Sequence, residues 1–530
     1  MLRSNRWATV VLLLLALSAG LLLRVWGTAQ KRYLTHDEGI SFLAATGHQG
    51  EYAAIADGRY PSSAWAKAGA WQRLLRVEQR FCFEQIAADL ARFDIHPPLY
   101  FWLLHLWAIA FGLGPAAGPA LNTIIAALTA LALFGLARRL LHSRAQAAAV
   151  SFTWLVSPAV LPISLEARQY DLLALCSVLL VWQILRISDT TRPAWRRDFG
   201  LLALITLAGT LTHYQFALIA AGALCFLALR LARKKLTRLL WGVGAVAAGY
   251  LVFVQLQPDF YLSLARQQSQ LMPFELREFP LRLLAVCEGL AGFLLPASLT
   301  RLPALAVIFA LGLAACLSFL PWRALRLRGE KVLTLSFAGE RAAYFFFIWI
   351  AGAILLLYLA GLSPAAAMGR KYLAAAWPFL AFIPVSVARC FGNSQRLALA
   401  LFCALLLIAG GVNLAQALAG GNATLVPPAE VTRADTLLVD SVARGVLPRI
   451  VWYLPPETTV FAAPQSFLLQ HQSRWLDRLQ DGAYVGVSIY GGAPAGQAQI
   501  VKSLSQQRRV LPQHSDWQLG AVYQVTAPAQ

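Results

Sequence analysis

"PPLYFWLLHLWAIAFG", residues 97–112, reads either as a membrane span or as a helix lying on a membrane surface, and the fold turns on which it is. The run is shorter than the roughly 20 apolar residues that a crossing needs, and Pro97–Pro98 suit a helix start. The surrounding chain decides the matter. Over 530 residues the sequence is 58% hydrophobic and only 13% charged, a composition far from that of a soluble domain and fitting a polytopic membrane protein. A net charge of +20 would suggest a nucleic-acid partner in a soluble chain. Here the basic residues cluster in short segments between apolar runs, the pattern of cytoplasmic anchors, so membrane lipids are expected as partners and nucleic acid is not.

Those basic segments fix the topology. Arg3/Arg6, 137–144, 191–198, 230–238, 321–331 and 389–396 all fall on the cytoplasmic side if about eleven spans cross the bilayer, with the N-terminus inside and the C-terminus outside. The spans are expected near 8–26, 119–137, 147–164, 170–186, 199–212, 214–230, 239–256, 302–320, 343–360, 372–388 and 397–417. Counting 97–112 as a crossing would throw the later basic segments to the wrong side, so it is read as a helix on, or dipping into, the outer face. The same argument rejects "LRLLAVCEGLAGFLLPAS" (281–298). The first apolar run has no convincing small-residue cleavage site and is read as an uncleaved helix. Seven scattered cysteines show no paired spacing that would mark a disulfide framework or a zinc site.

Residues 27–118 then form a large first outer loop with interfacial helices. In "AWQRLLRVEQRF" (70–81), Leu74, Val77 and Phe81 repeat at helical spacing beside a stripe of Arg73, Arg76 and Arg80, which predicts an amphipathic interfacial helix. The transmembrane module is taken as 1–418. From 419 to 530 the composition changes: "TLLVDS", "TTVFAA" and "AYVGVSIYGG" read as strands, and "FLLQHQSRWLDRLQ" and "GQAQIVKSLSQQ" as helices. That predicts a small extracytoplasmic α/β domain.

Ionisable residues beside membrane spans are costly and point to function. On this topology the notable ones gather on the outer face. His36, Asp37 and Glu38 follow the first span, and Asp94 and His96 precede the surface helix. Glu166, Arg168 and Tyr170 occupy the turn between the third and fourth spans, and His213 the turn between the fifth and sixth. Arg370, Lys371 and Tyr372 open the tenth. Glu166 and Arg168 are two residues apart and would not face each other on a helix, so each is expected to have another partner. Two cations, Arg370 and Lys371, on the side where basic anchors are scarce suggest an anionic ligand such as a lipid phosphate.

The combination of Asp37–Glu38, "HPPLY" (96–100), "EARQY" (166–170) and "RKYL" (370–373) resembles the GT-C class of polyprenol-phosphate-sugar glycosyltransferases. That class includes the protein O-mannosyltransferases, the lipid A aminoarabinose transferases and their bacterial relatives. The resemblance covers roughly residues 1–390. The aminoarabinose transferases carry an acidic–basic–Pro motif where this chain has Ile95-His96-Pro97, so neither their metal ligand nor their phosphate-binding lysine carries over directly.

The resemblance implies an integral enzyme of a bacterial inner membrane. It would move a sugar from a polyprenyl (undecaprenyl) phosphate to a lipid, glycan or protein hydroxyl on the outer face, with inversion. Asp37 matches the catalytic base that takes the acceptor proton, with Glu38 in support. Arg168, Arg370, Lys371 and His96 would offset charge on the leaving phosphate. Glu166 would either orient the acceptor or share a divalent metal ion with Asp37 or Glu38. His36, Asp94, Tyr170, His213 and Tyr372 complete the candidate site. Two alternatives accompany this reading: a pyrophosphate-linked oligosaccharide donor on the same architecture, and a non-enzymatic transporter or membrane anchor. A transporter should show internal repeats and mid-membrane charge, whereas these charges lie at one surface.

Overall fold

The computed structural model describes residues 4–189, 194–231, 236–269, 275–300, 341–359, 370–487, 494–513 and 517–527, with a few more between 302 and 312. Apolar runs become helices, as backbone polar groups in hydrocarbon must be satisfied within the segment. Helix α1 covers Ser4–Gln30. The first outer loop follows with α2 (His36–Ala45), α3 (Gln49–Ala56), the short strand β1 (Trp65–Lys67), α4 (Ala68–Gln72), α5 (Phe83–Phe93) and α6 (Leu99–Phe111). The bundle continues with α7 (Ala117–Leu141), α8 (Arg144–Val156), α9 (Val160–Ser164), α10 (Tyr170–Asp189), α11 (Trp195–Thr212), α12 (Phe216–Leu231) and α13 (Leu236–Leu256). Helices α14 (Phe260–Ser269) and α15 (Phe279–Ala291) come next, and later helices cover Arg341–Leu359 and Gln395–Thr424. By length and composition, four described helices are able to cross a membrane unaided: α7, α10, α13 and the one ending at Thr424.

Two expected spans are broken rather than continuous. Helix α8 stops at Val156 because Ser157, extended at ψ 129°, precedes Pro158. The chain resumes as α9, and Asn413 holds the Pro158 carbonyl from the last long helix (2.9 Å). The stretch expected at 372–388 forms a 3₁₀ segment Arg370–Ala375 and two short helices, Trp377–Leu380 and Ile383–Arg389. Pro378 and Pro384 each sit near the start of one of those helices, where a missing N–H costs nothing. The stretch expected at 302–320 lies mostly outside the described residues.

Helix α6 has 13 residues, about 20 Å at 1.5 Å per residue, against a hydrocarbon core of roughly 30 Å. It packs on α2, α7 and α11. The amphipathic helix expected over 70–81 does not form as such: helix ends at Gln72, a 3₁₀ turn covers Arg73–Leu75, and Arg76 is extended. The Leu74 carbonyl, which a continuing helix would give to the Glu78 amide, is taken by Thr46 Oγ1 (2.7 Å) and His48 Nδ1 (3.0 Å). Phe81 lies at φ 59° with its amide donating to His105 Nε2 (3.0 Å), and its ring is exposed.

Outside the bundle lies one six-stranded sheet, ordered β1-β3-β2-β4-β6-β5, where β2 is Thr436–Val439, β3 Thr459–Ala462, β4 Tyr484–Val487, β5 Arg509–Gln513 and β6 Ala521–Thr526. Strand β2 pairs parallel with β3 and β4, and the other pairings are antiparallel. The edge strand β1 belongs to the first outer loop, with Trp65 opposite Phe461. One apolar core joins the two regions, including Phe42, Trp71 and Leu74 from the loop and Leu437, Val446 and Ile450 from beyond the bundle. The first outer loop and the C-terminal region therefore fold as one body. The boundary expected at 418/419 falls inside the helix Gln395–Thr424.

Candidate active site

Asp37 is the second residue of α2. Thr35 caps that helix, accepting from the Glu38 amide at 3.3 Å, while the Glu38 carboxylate accepts from the Thr35 amide at 2.9 Å. This reciprocal capping box satisfies helix-end donors, and a carboxylate in the first turn suits the positive end of the helix dipole. Glu38 is fully buried. Both of its oxygens lie 2.6 Å from Lys31 Nζ, and Oε1 also accepts from the Ala167 amide (3.2 Å). Its acceptor capacity is consumed in tying α2 to the Glu166–Arg168 turn. Glu38, expected as a catalytic or metal-binding group, is engaged here as a clamp between α2 and that turn.

The Glu166–Arg168 turn between α9 and α10 is held from two further sides. Asn122 on α7 donates to the Ser164 carbonyl (3.1 Å) and the Glu166 carbonyl (2.6 Å). At Gly118, also on α7, a Cβ would fall 2.5 Å from Ala167, so only glycine lets the helix approach the turn. The fixed turn aims Glu166 and Arg168 at Asp37.

Four charges from three regions then meet. Arg168 Nη2 lies 3.1 Å from Asp37 Oδ1, and Lys371 Nζ lies 2.9 Å from Asp37 Oδ2 and 2.5 Å from Glu166 Oε2. Asp37 keeps about a quarter of its side chain exposed, whereas Arg168 is buried. Burial would raise the Asp37 carboxyl, but Arg168 and Lys371 offset this and hold it well below the ordinary aspartate range. Glu166 moves the other way: burial raises it, and the nearby Asp37 and Glu38 charges add to that against the pull of Lys371. The pair thus splits into a firmly ionised Asp37 and a less acidic Glu166. Arg168 Nε and Nη1 are buried and have no hydrogen-bond partner among the described residues.

The other predicted residues line one side of this cluster. His96 Nδ1 lies 2.6 Å from Asp94 Oδ1, and Gln49 donates to Asp94 Oδ2 at 3.0 Å. Burial would raise Asp94, yet the His96 bond and the Arg168 field keep it well below its usual value. An ionised Asp94 only accepts, so the shared proton sits on His96 Nδ1. The His96 ring meets His213 (6.0 Å between centroids), and Tyr170, Tyr372 and His213 pack mutually at 6.1–6.5 Å. Burial pushes the His213 imidazole down to about 3, so it is neutral. The Arg370 side chain lies outside the described residues.

The metal-ligand set Asp37, Glu38 and Glu166 does not fit a divalent ion: Glu38 is turned to Lys31, and an ammonium group lies between the other two carboxylates. Among the described residues no other group of His, Cys, Asp and Glu has that arrangement either.

Residues beyond the bundle also reach the site, and no motif marked them. The loop 442–446 and the start of the helix Leu447–Val451 hold the segments around α2. Tyr52 Oη donates to the Val442 carbonyl (3.0 Å), Arg449 Nε donates to the Leu34 carbonyl (2.9 Å), and Arg444 donates to the Phe93 carbonyl. Gly445 touches the His36 ring so closely that a Cβ there would fall 2.0 Å from its atoms. His36 is thus a contact between α2 and this loop.

Comparison with known proteins bears on the fold that carries this site. Residues 95–256 match the family described as dolichyl-phosphate-mannose-protein mannosyltransferase. The fold is similar to that of ArnT from Cupriavidus metallidurans bound to undecaprenyl phosphate, with a TM-score of 0.52 at 12% identity over 97% of this chain and 99% of that one. For the apo state of the same protein the TM-score is 0.54 at 13% identity, over 99% and 100% of the two chains. No curated protein matches the sequence. Over nearly its whole length this chain thus has a fold similar to that of ArnT, and over residues 95–256 it resembles the mannosyltransferase family.

Proposed function

We propose that this protein transfers a sugar from a polyprenyl monophosphate to an acceptor hydroxyl at the outer face of a bacterial inner membrane, inverting the anomeric centre. The observation that carries the reading is the half-used Arg168. It is buried, it pairs with Asp37 through one nitrogen, and its Nε and Nη1 lack partners. Buried guanidinium donors of that kind are costly unless a ligand oxygen completes them, and a phosphate suits a guanidinium fork.

The same arrangement gives a mechanism. In the resting site Asp37 is a weak base because two cations hold it ionised. A donor phosphate would compete for those cations, drawing Arg168 and Lys371 toward its oxygens and leaving Asp37 more basic as substrate arrives. Asp37 then takes the acceptor proton while the acceptor oxygen attacks the anomeric carbon. The sugar–phosphate bond breaks and the polyprenyl phosphate leaves as an anion, its charge compensated by Arg168 and Lys371. Glu166 keeps Lys371 in place between the reacting groups, and the Tyr170–His213–Tyr372 layer shields one side from water. The test is purified protein offered defined polyprenyl monophosphate and pyrophosphate sugars. Transfer from the monophosphate donor alone supports the reading, and transfer from the pyrophosphate donor alone overturns it. Mass spectrometry of envelope glycolipids and glycoproteins from cells lacking the gene would then show which acceptor loses its sugar.

A further inference from the structure

Arg76 and Arg80 of the first outer loop take no part in the site above, yet they line a cavity. That cavity is a groove of about 750 Å³ between the Leu75–Arg80 segment, the last turn of α6 and the Trp452–Pro456 segment. It lies at the opposite end of α6 from His96, about 20 Å away along a 13-residue helix. One wall is polar. Arg76 and Arg80 are exposed there and have no carboxylate partner among the described residues. The nearby Glu78 is engaged by Arg73 (2.9 Å) and sits 3.4 Å from His48 Nε2. The other wall is apolar, formed by Ile109, Leu113, Trp452 and Leu454.

With the long apolar helices set across a bilayer, the groove would open near headgroup height. Its floor reaches Gly112 and Leu113, a few residues before α7, and Lys31, just past the end of α1, donates to the nearby Pro115 carbonyl (3.2 Å). The floor is therefore level with the outer ends of the first two spans. Beside it α6 presents Leu106 and Phe111, exposed at 42% and 74%, with the Phe111 ring against Trp107 (4.6 Å). A helix too short to span, with exposed aromatic and aliphatic side chains, belongs in the interfacial layer.

We propose that this groove holds an anionic lipid of the outer leaflet, its phosphate on Arg76 and Arg80 and its upper chains along the Ile109–Leu113 wall. Arginine donors match phosphate oxygens in pairs, and basic residues at a membrane surface attract anionic lipid. The apolar wall selects a phosphate carried on a chain over a free one. The site is separate from the reacting charges and does not depend on the identity of donor or acceptor.

The full-length protein in phosphatidylcholine nanodiscs doped with phosphatidylglycerol tests this, with retained lipid measured by native mass spectrometry. Phosphatidylglycerol should be retained over phosphatidylcholine. The double variant R76Q/R80Q should weaken that retention at least about tenfold, equivalent to ~1.4 kcal/mol. Ile109→Glu, which sets a carboxylate in the apolar wall, should do the same without touching the arginines. Arg478→Gln, an exposed arginine elsewhere on the outer body, should change nothing, and inorganic phosphate should not displace the lipid. Equal retention of the two lipids, retention unchanged in both groove variants, or displacement by inorganic phosphate would each overturn the proposal.

Discussion

Replacing Glu38 by glutamine separates a clamp from a catalyst. The side chain keeps its shape, and its remaining oxygen still serves the Thr35 amide. The Lys31 ammonium, however, keeps only the contact to that oxygen and faces a neutral amide in place of a carboxylate, in a site where both side chains have zero exposure. Breaking a buried ion pair by removing one partner costs about 3–5 kcal/mol, as the other charge is left uncompensated. The new NH2 group, at the Oε1 position, faces both that ammonium and the Ala167 N–H, losing the tie to the Glu166–Arg168 turn. Glu38→Gln should therefore destabilise the protein by roughly 3 kcal/mol and lower turnover through lost fold. The double variant Lys31→Met/Glu38→Leu should regain most of the stability, because a hydrophobic pair avoids the desolvation of two ions. Thermal unfolding in detergent with parallel turnover measurements reads both. A Glu38→Gln protein as stable as the natural one yet inactive would refute the clamp and return Glu38 to the chemistry.

Arg168→Ala should raise the donor KM about tenfold or more and also lower kcat, since each charge-assisted bond it supplies is worth about 1.5–3 kcal/mol and strengthens as charge grows on the phosphate. Arg168→Lys should recover only part, a point charge replacing a fork; steady-state kinetics on a defined donor would show it. Glu166 is raised by burial and by neighbouring carboxylates, so it takes up a proton at a higher pH than an ordinary glutamate. The acid limb of kcat/KM should accordingly lie above the pH at which an ordinary glutamate titrates, and Glu166→Gln should abolish that limb while Asp37, held low, stays ionised. Gly445→Val should reduce kcat several-fold by pushing the His36 ring and with it α2, and His36→Ala in the same chain should restore part of the loss; no rescue would break the proposed contact. Cysteine at position 138 should resist an impermeant thiol reagent from outside, and cysteine at 107 should react.

Much of this was legible because membrane topology is written in charge. Asp37, Glu166, Arg168 and Lys371 are far apart in sequence, yet one-sided basic segments were enough to bring them to the same surface, and the structure joins them within 3.1 Å. The split between Asp37 and Glu38 was not drawn from the sequence, although Thr35-His36-Asp37-Glu38 carries a capping-box pattern that commits the glutamate to the backbone. The missing partner was Lys31, which looks like an ordinary membrane anchor. Other features carry no local signal. Strand β1 is three residues long and exists only because β3 offers an edge. The helical spacing of Leu74, Val77 and Phe81 lost to tertiary bonds on the Leu74 carbonyl. The glycine at 445 matters through a close contact made hundreds of residues away in the chain.

The central claim is that Asp37 is the base for sugar transfer from a lipid monophosphate. Asp37→Asn keeps the size and the α2 position while removing the proton acceptor, so a single-turnover experiment with purified protein and a preloaded polyprenyl-phosphate sugar isolates the chemical step. The account predicts that the natural protein transfers the sugar, and that Asp37→Asn, in which Arg168 and Lys371 no longer pair with a carboxylate, retains the donor at least as tightly and transfers essentially none of it. Transfer by Asp37→Asn at close to the natural rate would contradict the account.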